Sequence, residues 1–128
     1  MAYISFQPSD YFNTKLYTGN GSTQSISSVG FQPDWVWIKN RDGTNNHILQ
    51  DAVRGATKSL ESDGTGAETT SSTRVTSFDS DGFSIGSAGT NNTNTNNYVS
   101  WNWRANGSGS SNTDGSVTST VSANTTAG

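Results

Sequence analysis

The chain contains no cysteine, which excludes a disulfide framework and any thiolate metal site. A single histidine, His47, excludes any multi-histidine metal centre within one chain, and a polar role at a loop edge is expected for it rather than a place in a catalytic triad. Charged residues make up only 13% of the sequence and apolar residues 29%. No apolar run is longer than the four residues Trp35 to Ile38, and Met1 to Asp10 has neither a basic n-region nor an apolar h-region. Neither a signal peptide nor a membrane span is therefore expected. The formal charge of −3 and seven basic residues scattered between Lys15 and Arg104 provide no cationic cluster to displace counterions, so a nucleic-acid partner is not expected.

What fills the chain instead is uncharged and polar. Ser, Thr, Asn and Gly supply 67 of the 128 positions. These residues either compete with the backbone for hydrogen bonds or cost chain entropy, so they disfavour helices and suit short strands joined by many turns. An all-α fold is close to excluded. Four Trp, four Tyr and five Phe separate the chain from disordered sequences of similar polarity. The length fits one domain with one core.

Apolar clusters alternate with turn signals at the spacing of a β-sandwich. The pattern predicts a hairpin of Lys15 to Thr18 with Ser25 to Val29 across Gly19-Asn20-Gly21. A strand follows at Asp34 to Lys39, with Trp35 and Trp37 on one face and Val36 and Ile38 on the other, both covered. Ile48-Leu49 reads as a strand before an irregular turn, with a short helix through Ala52 and Ala56 as the alternative. Strands are also expected at Arg74 to Phe78 and Phe83 to Ile85, joined by the Ser80-Asp81-Gly82 turn. Gly86 to Asn97 reads as a long exposed loop. Tyr98 to Arg104 closes the module, with Val99, Trp101 and Trp103 turned in and Ser100, Asn102 and Arg104 turned out. Residues 1–104 thus form an antiparallel β-sandwich. Residues 105–128, with Val117 and Val121 as their only sizeable apolar side chains, read as a linker or extended arm leading toward a further module.

Candidate functional residues are few, and each has a structural alternative. The alternation favours core packing for Trp35, Trp37, Trp101 and Trp103; the competing reading is an aromatic platform on which sugar rings stack. In that second reading Trp101, Trp103 and Tyr98 join Asn92, Asn94 and Asn96 of the Asn/Thr run as a ligand-binding set. Asp51 and Arg54 are expected to form a structural ion pair. Asp79-x-Asp81-Gly82 has the opening of a calcium loop but lacks the closing Glu, so a turn is expected and no metal or cofactor is assigned. A glycosidase would need a second carboxylate near Asp51. Glu61 and Glu68 lie in a Ser/Thr/Gly-rich stretch with little apolar cover, and no enzyme is expected.

Several words of the chain together resemble a known group: Asp10-Tyr11-Phe12-Asn13-Thr14, Leu16-Tyr17-Thr18-Gly19-Asn20-Gly21, and Gly30-Phe31-Gln32-Pro33-Asp34-Trp35-Val36-Trp37-Ile38-Lys39-Asn40-Arg41. Asp51-Ala52-Val53-Arg54-Gly55, Phe78-Asp79-Ser80-Asp81-Gly82-Phe83 and Tyr98-Val99-Ser100-Trp101-Asn102-Trp103 complete the pattern. This resembles a family of tailed-bacteriophage virion proteins, common in phages of marine bacteria and cyanobacteria, described as tail-fibre-like or structural. The resemblance implies a concanavalin-like (lectin-like) jelly roll located in the virion. It also implies a tail fibre or capsid-attached adhesin that docks on other virion proteins, forms a homo-oligomer such as a trimer, and contacts host surface glycans. A capsid decoration protein and a carbohydrate-binding module of a secreted protein are the rival readings.

Overall fold

The computed structural model describes residues 7–126. After a 3-10 turn at Pro8–Asp10 come β1 (Phe12–Thr18), β2 (Gln24–Ile26), β3 (Trp35–Asn40), β4 (Ile48–Asp51), β5 (Lys58–Glu61) and β6 (Thr69–Thr70). There follow β7 (Val75–Asp79), β8 (Gly82–Ile85), a one-turn helix α1 (Gly89–Asn92), β9 (Asn97–Trp103), β10 (Ser110–Asn112) and β11 (Ser119–Val121). Strands join in the order β1-β9-β3-β4-β5-β6 in one sheet and β2-β8-β7 in another, while β10 and β11 form a separate hairpin. Every pairing is antiparallel. The protein is an all-β antiparallel sandwich.

The core lies between the six-stranded and three-stranded sheets. Val36, Ile38, Ile48 and Tyr98 enter from the larger sheet and meet Ile26, Val75, Phe83 and Ile85 from the smaller one. Each such side chain contributes about 1.5–3 kcal/mol by leaving water. β-Branched residues dominate because they fit a pleated, crowded face. The β7–β8 hairpin turns tightly at Ser80-Asp81. Only glycine fits at position 82, where φ is +151° and an added Cβ would lie 1.9 Å from the Ile26 carbonyl oxygen.

Four expectations are corrected. β1 does not form a hairpin with the following strand: β1 pairs with β9 and β2 with β8, so the chain changes sheet at Gly19 to Thr23. The turn residues there bond to the loop before β9, with Gly19 N donating to Asn96 O and Gly21 N to Asn92 O. Second, Val99, Trp101 and Trp103 do not point inward. Tyr98, Ser100 and Asn102 do, each fully buried, and the indoles stand on the opposite face. Alternation distinguishes two faces but does not say which one the second sheet covers.

Third, the run from Gly86 to Asn97 is not wholly exposed, because it contains α1, whose Asn91 and Asn92 are completely buried. Fourth, the described part of residues 105–126 is not an extended arm. It folds back as the β10–β11 hairpin and is tied at its base, where Asn106 N donates to Ser122 Oγ at 2.8 Å and Asn124 Nδ2 to Ala105 O at 3.3 Å. Two short strands, β5 and β6, were also not anticipated in the stretch after Ala56.

Candidate functional site

The register of the larger sheet sets its outer face row by row. Phe12, Trp103, Trp35 and Asp51 lie side by side across β1, β9, β3 and β4. In the next row Thr14, Trp101, Trp37, Leu49 and Leu60 cross five strands. Leu16, Val99 and Lys39 make a third. The result is one apolar stripe with no charge at its centre, on the side away from the core. Phe12 and Trp35 each retain 38% of their surface and Leu16 retains 59%; Trp37, Trp101 and Trp103 are half-buried.

The rings on this face lean on each other. Trp35 and Trp103 stack with centroids 4.3 Å apart and planes 27° from parallel. Phe12 meets Trp103 at 4.9 Å and 50°, and Trp37 meets Trp101 at 5.1 Å and 44°. Two indoles lying flat and side by side could not bring their centroids so close. Trp35 and Trp103 therefore cover part of each other's faces, while the other two pairs are tilted. His47, at the start of β4, approaches Trp37 with ring centroids 6.3 Å apart.

At the border of the stripe, Asp51 and Arg54 form an ion pair. Arg54 Nε donates to Asp51 Oδ2 at 2.6 Å, and the Arg54 backbone N–H reaches Asp51 Oδ1 at 2.9 Å. Arg54 Nη1 also donates to Glu68 Oε2 at 3.2 Å. Glu61 is held by Arg74 at 2.8 Å. Hydrogen bonds from Asn46 and then Arg74 set the Glu61 carboxyl below its ordinary range, and the His47 backbone N–H does the same for Asp63. Asp79 accepts from Ser77 Oγ and Ser84 Oγ at 2.8 and 2.7 Å, and Asp81 accepts from the backbone of Ser28 and Gly30 at 3.0 and 2.7 Å. Both carboxylates thus act as braces of the turn. No group of three or more metal-ligating residues comes together among the described residues.

The six residues of the expected ligand set do not converge. Trp101 and Trp103 are on the outer face. Tyr98 is fully buried on the inner one, its hydroxyl donating to Gly89 O at 3.1 Å and accepting from Thr93 N at 2.8 Å. Asn92 is an internal brace: Nδ2 donates to Gly86 O at 2.8 Å, to Asn20 Oδ1 at 3.2 Å and to Ser22 O, while Oδ1 accepts from Asn20 N at 2.9 Å. Asn94 is exposed and Asn96 half-buried, but both precede β9. The strand rise puts Trp101 about 13 Å beyond Asn97. Sequence reasoning missed Phe12 and Leu16 as members of the outer face. Their spacing with Thr14 was legible as one face of a strand, but β1 was assigned the wrong partner.

No helix among the described residues is long and apolar enough to cross a membrane. Fold and face together define an antiparallel sandwich whose larger sheet carries an outward aromatic stripe. The chain belongs to the family described as a domain of unknown function (DUF7483), whose model matches residues 7–128. No curated protein and no solved structure matches it.

Proposed function

We propose that the protein is a non-enzymatic structural module of a tailed-bacteriophage virion, a tail fibre or capsid-attached adhesin that docks on other virion subunits. The sequence words set out above supply the phage context. The observation that carries the docking role is the outer face of the larger sheet, where Phe12, Leu16 and four indoles gather on a chain otherwise dominated by Ser, Thr, Asn and Gly. Contiguous apolar patches of this kind mark interaction surfaces. The arrangement of the acids supports a passive role: Asp51, Glu61 and Glu68 are tied to arginines, and Asp79 and Asp81 to loop hydroxyls and amides.

The ring-on-ring contacts favour protein over sugar at this face. Pyranose rings stack on exposed ring faces, and here those faces meet one another. The exposed surface of Phe12, Leu16 and Trp35 instead suits aliphatic and aromatic side chains of a partner. Weak contacts of this kind gain strength when copies are repeated in a particle.

Particles of the encoding phage, purified and labelled with antibody against this chain, test the reading. Labelling at a fixed place on tail or capsid is expected, and that place separates fibre from decoration protein. A chain absent from purified particles and recovered only from the culture supernatant would overturn it in favour of a secreted module.

A further inference from the structure

We propose that Asn106-Gly107, at the base of the β10–β11 hairpin, is a site of spontaneous deamidation, and that Asn20-Gly21, the same dipeptide elsewhere in the chain, is protected by the fold. The site is separate from the aromatic face and owes nothing to the docking reading above.

Two Asn-Gly steps occur in the sequence. Asparagine is thermolabile, and a glycine after it leaves the next amide nitrogen unhindered, so the side chain can close on it. In the reaction the Gly107 amide nitrogen gives its proton to solvent and bonds to Asn106 Cγ. The Cγ–Nδ2 bond breaks, Nδ2 leaves with a solvent proton as ammonia, and a succinimide ring remains. Water then opens one ring carbonyl or the other, which gives aspartate or isoaspartate. Nothing beyond water is consumed.

Exposure does not separate the two steps, because Asn20 and Asn106 are both exposed. Backbone conformation does not either, since Gly21 (φ +70°) and Gly107 (φ +59°) are both left-handed. Hydrogen bonding does. Asn20 Nδ2 donates to Thr23 O at 3.3 Å, and its Oδ1 accepts from Ser22 N at 2.8 Å and Asn92 Nδ2 at 3.2 Å. The attacking nitrogen is held as well, with Gly21 N donating to Asn92 O at 2.9 Å. Ring closure at Asn20 breaks all four bonds, so it waits for a local opening around the fully buried Asn92.

At the hairpin base none of these restraints exists among the described residues. The Asn106 backbone is anchored, its N–H donating to Ser122 Oγ at 2.8 Å and its carbonyl accepting from Gly109 N at 3.1 Å. Its side-chain amide and the Gly107 N–H have no partner among the described residues. A Cβ added at Gly107 would meet nothing within 4 Å, so the surroundings of the attacking nitrogen are open. Arg104, with no ion pair among the described residues, lines the same two grooves as Asn106, one against β10 and β11 and one against Phe31, Gln32 and Asp34. Its positive charge favours both the anionic nitrogen that attacks and the carboxylate that results. The product adds a negative charge, and as isoaspartate a backbone methylene, inside the turn that Gly109 N closes on Asn106 O.

The experiment ages the full chain in mildly alkaline buffer at physiological temperature, folded and, in parallel, unfolded in guanidinium chloride, until the unfolded chain has reacted at both steps. Trypsin releases Asn106 in the peptide from Ala105 to Gly128 and Asn20 in the peptide from Leu16 to Lys39. Mass spectrometry with fragmentation then counts aspartate and isoaspartate at each, against an unaged sample. In the folded chain Asn106 is expected to react at least about tenfold faster than Asn20, whereas in guanidinium the two rates are expected to agree within about threefold. Asn106→Gln, whose ring closure needs a larger and slower-forming ring, is expected to remove the acidic species that accumulates on ion exchange. A smaller ratio in the folded chain, the same ratio after unfolding, or an acidic species retained by Asn106→Gln would each overturn the proposal. None of these outcomes bears on particle labelling, which decides the virion reading separately.

Discussion

Along β9 the two faces of one strand reverse the usual distribution of chemistry. Tyr98, Ser100 and Asn102 face inward and are fully buried, whereas Trp101 and Trp103 face outward and keep accessible surface. The inner polar groups are held by hydrogen bonds through their donors, while the buried Asn102 Oδ1 has no partner. Asn102 Nδ2 donates to Asn13 O at 3.0 Å and Ser100 Oγ at 3.1 Å. On β4, Gln50 mimics a peptide group across the sandwich: its Nε2 donates to Val75 O at 3.2 Å and its Oε1 accepts from Val75 N at 2.9 Å. Burial of a polar group is costly only when it lacks a partner. Here the inner face supplies rigidity through directed bonds, and the outer face supplies apolar surface for contact.

The comparison is sharpest between the neighbours Asn91 and Asn92, both fully buried. Asn92 makes four side-chain hydrogen bonds that join the β1–β2 and β8–β9 connections, whereas the side-chain amide of Asn91 has no hydrogen-bond partner. Asn92→Ala is expected to cost about 3–5 kcal/mol in urea unfolding, because several backbone groups lose their partners at once. Asn91→Leu is expected to be neutral or stabilising by up to about 1 kcal/mol, since it removes two unpaired polar atoms. Equal losses at both positions would show that burial, and not bonding, sets the energy.

Gln50→Leu comes next, with an expected loss of about 2–4 kcal/mol as the Val75 amide and carbonyl are left buried and unpaired. On the outer face, Leu16→Ser is expected to change monomer stability by about 0.5 kcal/mol or less, as for an ordinary surface position. A large loss there would mean that the face is part of the core. Asp51→Asn is expected to cost about 1 kcal/mol or less, since the pair with Arg54 is partly exposed and screened.

Two positions on the inner side of the larger sheet respond to opposite ends of the pH scale. Burial, and then the neighbouring Tyr98, raise the Tyr17 hydroxyl well above its ordinary value. Its stabilising effect is complete below the ordinary tyrosine range and is lost as pH rises toward the folded value, when the unfolded chain ionises first. The Glu61 carboxyl is lowered. Its effect is present above the ordinary glutamate range and is lost as pH falls through the lowered folded value. Urea midpoints across pH check both: Tyr17→Phe flattens the alkaline limb, and Glu61→Gln flattens the acidic one by a smaller amount.

Fold class was legible because composition excludes helices and the 2-residue periods around Trp35 and Trp101 are strong. The sandwich, β3, β7, β8 and β9 follow from that pattern, and the Asp51–Arg54 pair follows from the spacing together with the Asp-x-x-Arg-Gly word of the resemblance. Strand pairing was legible for β7 and β8 across their turn, but not for β1. Gly19-Asn20-Gly21 has hairpin chemistry, but its amides bond to Asn92 and Asn96 far along the chain. The inward face of β9 was misassigned because indole is the more apolar choice, while Asn102 is held by Ser100 on its own strand and by Asn13 O of β1, far away in the sequence. β5 and β6 carry few apolar residues and gave no periodic signal.

Hydroxyl-radical footprinting of the dilute monomer, read residue by residue by mass spectrometry, tests the division between the faces most directly. Rapid oxidation of Phe12, Leu16 and Trp35 with protection of Phe83 and Tyr98 is predicted. Protection of Phe12 and Trp35 to the level of Phe83 in the monomer would place the aromatic stripe inside and contradict the account.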